Sequence, residues 1–202
     1  STIANILLRF NDITGGAVEL DGVSLDRLPR QAVRRQIAAV MQQPFLFSRS
    51  IGANMKLGVS HAKDDAMRVA ARVAHMHDSI AQFTDGYDTI VGERGMTLSG
   101  GQRQRVALTQ ALLQTPAILI LDDALSAVDT QTEQDILGAL RDRHGKQTTL
   151  IIAHRLSTLR EADRIIVLQD GRITHDGTHD ELIATEGLYK RLWSIQSEAN
   201  RD

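Results

Sequence analysis

Ala117-Ile118-Leu119-Ile120-Leu121-Asp122-Asp123 decides the fold. The first five residues are apolar at odd and even positions alike, which predicts a strand buried on both faces, in the middle of a parallel sheet rather than at its edge. The run ends in two carboxylates, and ligands of open α/β sheets bind outside the carboxyl ends of the strands. Successive side chains of an extended chain point to opposite faces, so Asp122 and Asp123 are expected to do different work. One can hold Mg²⁺ through water while the other faces an attacking water. Two other readings fit the same pair: a cap at the strand-to-helix turn, and the paired acids of a receiver-type phosphoacceptor domain.

Outward from this strand, a helical segment over about Thr132 to Arg143 leads to a second apolar strand, Thr149 to Ala153. Strand, helix, strand in this order is the pattern of a parallel α/β sheet. Upstream, Ile37 to Met41 reads as a further buried strand that proline stops at Gln42-Gln43-Pro44. Ile3, Ile6, Leu7 and Phe10 recur at helical spacing directly behind Ser1-Thr2, as at an excised helix start. Gly15-Gly16 and Asp21-Gly22 bracket a short strand, Ala17 to Leu20. Residues 50–83 are helical in composition, with Ala66, Val69, Ala70 and Val73 as the apolar stripe, and with the next helix they predict a helical subdomain over about 50–113. Thr84 to Leu98 has no periodicity and is long for a plain connector, which favours a functional loop. Near the C-terminus, Ile165 to Leu168 and Arg172-Ile173 flank Asp170-Gly171 as a hairpin, and Glu181 to Gln196 reads as helical, with the stripe Leu188, Tyr189, Leu192 and Trp193 expected to pack on the chain's own core. His75 and His77, two apart on a helix, do not face each other and read as solvated surface rather than a metal pair.

Leu98-Ser99-Gly100-Gly101-Gln102-Arg103-Gln104-Arg105 stands at the mouth of a helix expected over about Gln102 to Gln114. A serine and two glycines there allow a phosphate to approach free amides with the helix dipole behind them. Arg103 and Arg105 oppose that dipole unless an anion is near, which points to an anionic ligand. An ordinary helix cap with two solvated arginines fits the same residues.

With 23 basic and 25 acidic residues and a net charge of −2, nothing in the charge balance calls for nucleic acid or an anionic membrane. The absence of cysteine excludes disulfides, thiolate metal sites and a cysteine nucleophile, and suits a reducing, cytosolic setting. No apolar run approaches the roughly 20 residues of a membrane span.

LSGGQRQR resembles the signature sequence of ABC transporter nucleotide-binding domains, and ILILDDALSAVD, about twenty residues on, resembles that family's Walker B strand and D-loop. Gln42 in VMQQPFLF matches the Q-loop, TIVGERG the exporter-type X-loop, and His154 in IIAHRLS the switch histidine, so the resemblance covers the whole chain, 1–202. PFLFSRSI, GYDTIVGERG and DDALSAVD are most similar to bacterial multidrug-resistance-like half-transporters that form heterodimers. The resemblance implies a P-loop NTPase (RecA-like) α/β core with a helical subdomain and a small antiparallel β element, cut at its N-terminus within the phosphate loop, so that this piece alone is expected to be inactive.

It further implies ATP and Mg²⁺ as cofactors. Asp123, His154 and Gln42 would be catalytic; Ser1, Thr2, Ser99, Gly100, Gly101, Gln102 and Asp129 would bind nucleotide; and Ser1, Gln42 and Asp122 would hold the metal. The implied partners are a second nucleotide-binding domain and a transmembrane domain encoded upstream, at the cytoplasmic face of the inner membrane. The implied activity is export of a small molecule or lipid powered by nucleotide-driven dimerisation. Asp123 stands where the family's hydrolytic sites carry glutamate, and that departure supports a second reading, a regulatory half whose partner's site does most of the hydrolysis. A soluble ABC ATPase of DNA repair or translation is disfavoured by the exporter-like TIVGERG segment.

Overall fold

The computed structural model describes residues 2–142 and 147–199. The chain packs as two compact units, residues 1–152 and 153–202.

In the first unit, β3 (Ile37–Val40), β4 (Ile118–Asp122) and β5 (Thr148–Ile152) form a parallel sheet in the order β3-β4-β5, so the doubly apolar strand is central as its sequence requires. Its alternation serves two cores. Leu119 and Leu121 join a large cluster with Val106, Leu108, Leu112 and Ile136, while Ile120 faces a smaller one with Ala4, Leu8, Leu25, Val33 and Ile37. A strand packed on both faces has no position left for a polar residue until it ends.

The smaller core is roofed by α1 (Thr2–Leu7), the hairpin β1 (Glu19–Leu20) and β2 (Val23–Ser24), and α2 (Arg30–Gln36). Asp21 and Gly22 both take positive φ, 49° and 76°, the turn that suits the right-handed twist of a two-residue hairpin. Ala4 of α1 and Leu8 just past its end are buried, Leu7 packs partly against the same cluster, and of the expected stripe Ile3 is 46% and Phe10 63% exposed. Arg34 lies over the Phe10 ring and donates to the Leu8 and Arg9 carbonyls, closing the end of α1.

The larger core gathers α3 (Ile51–Met55), α4 (Asp64–Val73), α5 (His77–Ala81), α6 (Gly100–Leu113) and α7 (Thr130–Arg141). On α4 the buried side chains are Met67, Ala70 and Ala71, while Val69 is 55% exposed. The expected stripe is thus rotated by about one residue: Ala70 is shared, Val73 still packs partly on the core, and Met67 takes the buried place expected of Val69. His75 is exposed, but His77 Nδ1 bonds the Tyr87 hydroxyl at 2.8 Å, so only one of the two histidines is plain surface.

The second unit contains the hairpin β6 (Ile165–Gln169) and β7 (Arg172–Gly177), then α8 (His179–Ala184) and α9 (Leu188–Ala199), around Leu156, Ile165, Leu182 and Tyr189. The helical segment expected over 181–196 thus comprises two helices. Thr178 and Glu181 form a capping box that starts α8 early, and at Gly187 an added Cβ would lie 2.1 Å from His175 Nε2. Within the C-terminal stripe Tyr189 is buried and Trp193 packs against this cluster, but Leu192 is exposed.

Candidate functional site

β4 delivers Asp122 and Asp123 to the carboxyl end of the sheet. Asp122 closes the ladder opposite Ile152 and is 5% exposed. Asp123 N donates to the Ile152 carbonyl at 2.7 Å, but Asp123 has φ of +51° and so stands outside the extended chain. The backbone turns left-handed at Asp123, so the strand alternation expected of the pair stops at Asp122. Aspartate enters that region more readily than longer side chains, since its short polar group can bond locally.

Gln42 reaches the same point from β3. In the parallel register Val40 stands opposite Leu121, so Gln42 and Asp123, each two residues further on, come level. Gln42 Nε2 donates to Asp123 Oδ2 at 3.0 Å. The ends of β3 and β4 thus meet in space, with a direct bond between the two side chains.

The helix mouth is differently made. Ser99 is the N-cap of α6: Gln102 N donates to Ser99 Oγ at 3.2 Å and Ser99 N donates to Gln102 Oε1 at 2.9 Å, a complete capping box. The serine oxygen accepts in this arrangement and its proton is left to donate outward. Gly100 and Gly101 serve the chain's own packing. A Cβ on Gly101 would lie 2.7 Å from the Ala127 carbonyl oxygen, and one on Gly100 3.1 Å from Ala127 Cβ. These glycines admit the segment that follows β4, rather than only a phosphate.

The arginines likewise have partners within the chain. Arg103 Nη1 donates to the Leu98 carbonyl at 2.9 Å, and Arg105 Nη1 to the His75 carbonyl. Burial lowers the Arg105 pKa from its ordinary value, with Asp129 opposing. Each arginine thus bonds a loop carbonyl, and Asp129 is an anion whose charge Arg105 feels. Asp129 is the N-cap of α7, accepting from Thr132 N at 2.9 Å, and this bond depresses its pKa.

Gln104, one turn into α6 and 3% exposed, has no role assigned by the motif pattern. Its Oε1 accepts from Ala127 N at 3.0 Å, and its Nε2 donates to Ser126 Oγ at 3.2 Å and to the Gln42 carbonyl at 3.3 Å. One signal was available: with Gly101, Leu108 and Ala111 it occupies the helix's inward stripe, where a polar residue must find partners.

Thr2 is exposed at the start of α1, and Ser1 lies outside the described residues. His154 belongs to the second unit, where it is exposed and its carbonyl accepts from Gln196 Nε2 at 2.8 Å. Among the described residues no three His, Cys, Asp or Glu side chains group as a metal site, and no helix is long and apolar enough to cross a membrane.

A family model described as "ABC transporter" matches residues 1–126, and this chain belongs to that family. It is 42% identical to the ATP-binding cassette sub-family B member 6 of Xenopus tropicalis over 100% of this chain and 24% of that protein. It is 45% identical to a Staphylococcus aureus protein described as a multidrug export ATP-binding/permease protein, over 98% of this chain and 34% of the relative. Among solved structures, a bacterial Atm1-family ABC exporter with ATP bound superposes with a TM-score of 0.94 at 42% identity, covering 97% of this chain and 35% of that one. The fold is that of an ABC exporter's ATPase domain, and the chain spans about a third or less of the length of these relatives.

Proposed function

We propose that this chain binds and hydrolyses ATP to power export of a small molecule or lipid, working as one of two nucleotide-binding domains joined to membrane-spanning domains, with 50–113 as its helical subdomain. The carrying observation is the Gln42–Asp123 bond beside buried Asp122 at the carboxyl end of the central strand. A carboxylate and an amide oxygen form a sparse set of hard donors. That suits Mg²⁺, which keeps waters and takes phosphate oxygens for its remaining positions. Asp122 and Gln42, with Ser1, would hold the ion, which when bound would offset the charge of the phosphates.

Asp123 would accept the proton of the attacking water, with His154 near the terminal phosphate. Ser99, Gly100, Gly101 and Gln102 would face nucleotide held by the partner domain, with Asp129 beside that interface. A membrane-domain contact is supported by Phe45, Phe47 and Ile90. All three are exposed, on two segments joined by the Ser50–Ile90 bridge and by bonds from Ile51 N to Thr89 and from Val91 N to Arg49. That arrangement supports a location at the cytoplasmic face of the inner membrane.

The second reading, a slow site in a heterodimer, is favoured by Asp123 itself. Asp and Glu have nearly equal basicity, roughly 3.9 and 4.3, so the loss is one of reach. A shorter carboxylate already tied to Gln42 falls short of a water that a glutamate would touch, and positioned base catalysis contributes about 10²- to 10⁴-fold. In the full-length transporter with the partner site's acid removed, Asp123→Glu should raise single-turnover hydrolysis at least about tenfold with ATP affinity unchanged. An unchanged rate would show the aspartate to be a competent base, and no ATP-dependent activity in membranes would remove the exporter reading.

A further inference from the structure

We propose that Gln104 is a positioning residue that holds Gln42 and Asp123 in register and ties both to the helix beginning at Ser99. The inference rests on the ATPase reading for what the pair does, though not for the geometry. A buried primary amide must satisfy two N–H groups and a carbonyl, and Gln104 does so entirely with groups of the site. Its amide nitrogen donates to the Gln42 carbonyl at 3.3 Å and to Ser126 Oγ at 3.2 Å. Ser126 Oγ donates in turn to the Asp123 carbonyl at 2.9 Å. Gln42 Nε2 then donates to Asp123 Oδ2, which closes a ring.

Gln42 and Asp123 are therefore each held twice. Their side chains bond to each other, and their carbonyls are held through Gln104, directly for Gln42 and by way of Ser126 for Asp123. The remaining Gln104 oxygen accepts from Ala127 N at 3.0 Å, and one turn earlier Gly101 lies against the Ala127 carbonyl. Helix α6 thus grips the 123–127 segment at two successive turns. A displacement of its Ser99 end is transmitted to both reacting side chains through bonds rather than through loose packing.

The test uses the full-length transporter, reading single-turnover hydrolysis at this chain's own site, ATP affinity and amide hydrogen exchange. Gln104→Glu preserves size and the acceptor for Ala127 N but removes the N–H donors. Gln104→Met, unbranched and apolar, decides the same readouts if the glutamate variant fails to fold. The expected result is ATP affinity within about twofold, hydrolysis slower by roughly ten- to a hundredfold, the scale of a misplacement of about 1 Å, and faster exchange over 42–47 and 123–128 but not in α7. Ser126→Ala should slow hydrolysis less, and adding it to Gln104→Glu should slow it no further, because both act through one network.

A wild-type rate in the Gln104 variants, a loss no larger than the loss of folded protein, or additive effects of the two changes would overturn the proposal. If the wild-type transporter hydrolyses no ATP, the ATPase reading fails and exchange alone decides the role of Gln104. Unaltered protection over 42–47 and 123–128 then sinks it, and lost protection there supports it.

Discussion

The amino end of α6 and the carboxyl end of β4 satisfy their polar groups in opposite ways. At α6, Ser99 and Gln102 bond each other's backbone across three residues. At β4, Asp123 bonds Gln42 across 81 residues, and does so because the parallel register brings two strand ends level. A capping box forms wherever its sequence begins a helix, so the helix mouth is durable and nearly self-contained. The strand-end pair exists only while the whole sheet is in register. It is the more conditional of the two, and the Gln104 network is what bridges them.

The contrast breaks first at Gly101. Gly101→Ala should destabilise the full-length protein by about 1–3 kcal/mol, since the new methyl cannot coexist with the Ala127 carbonyl without moving α6 or the segment after β4. Thermal unfolding should show the loss, and ATPase activity should fall with it. A wild-type melting temperature would mean that these two regions are not in contact in the working protein. For that reason a Gly101→Asp variant is a poor probe of ligand binding across the dimer, because it injures the chain's own packing as well.

Ser99 makes the cleaner probe. Ser99→Ala should cost about 1 kcal/mol through loss of the cap, whereas Ser99→Asn should keep stability, since asparagine caps as well as serine. If Ser99→Asn unfolds at the wild-type temperature yet loses ATPase activity in the assembled transporter, the hydroxyl does more than cap. Full activity in that variant would reduce the helix mouth to its structural role.

Gly138 offers the opposite sign from Gly101. It lies inside α7 with nothing within 4 Å of an added Cβ, so Gly138→Ala should stabilise by about 0.5–1 kcal/mol, read as a higher melting temperature. A destabilisation would show that a partner surface occupies that space.

The smallest effect belongs to Asp129. Its bond to Thr132 N holds the folded-state pKa below the ordinary 3.8, so its contribution is fully present above that value and is lost as pH falls through the folded-state value. Asp129→Asn retains a cap without a titrating charge. Its unfolding temperature should therefore fall less between pH 5 and the acid limit than that of the wild type. Parallel acid profiles would show that the charge of Asp129 contributes nothing to α7.

Much of this was legible beforehand. The central position of residues 118–121 followed from apolar character on both faces, and Ser99 with the two glycines after it read as a helix cap. The helix faces were not legible in the same way. In α1 and α4 apolar side chains stand on more than one adjacent line, and choosing the buried one requires knowing where the next element packs. The carbonyl partners of Arg103 and Arg105 were hidden for a related reason: their positions are set by loops, and loops leave no periodicity to read.

By itself the sequence determined the order of the elements, the parallel sheet, and the two stretches at which polar residues gather, since these depend on periodicity and local caps. Only the tertiary structure decided that Asp123 turns left-handed, that Gly101 makes room for Ala127, and that Gln104 closes the circuit between Gln42 and Asp123. Each of those facts joins residues distant in the chain, and a separation along the sequence carries no distance until the sheet has set its register.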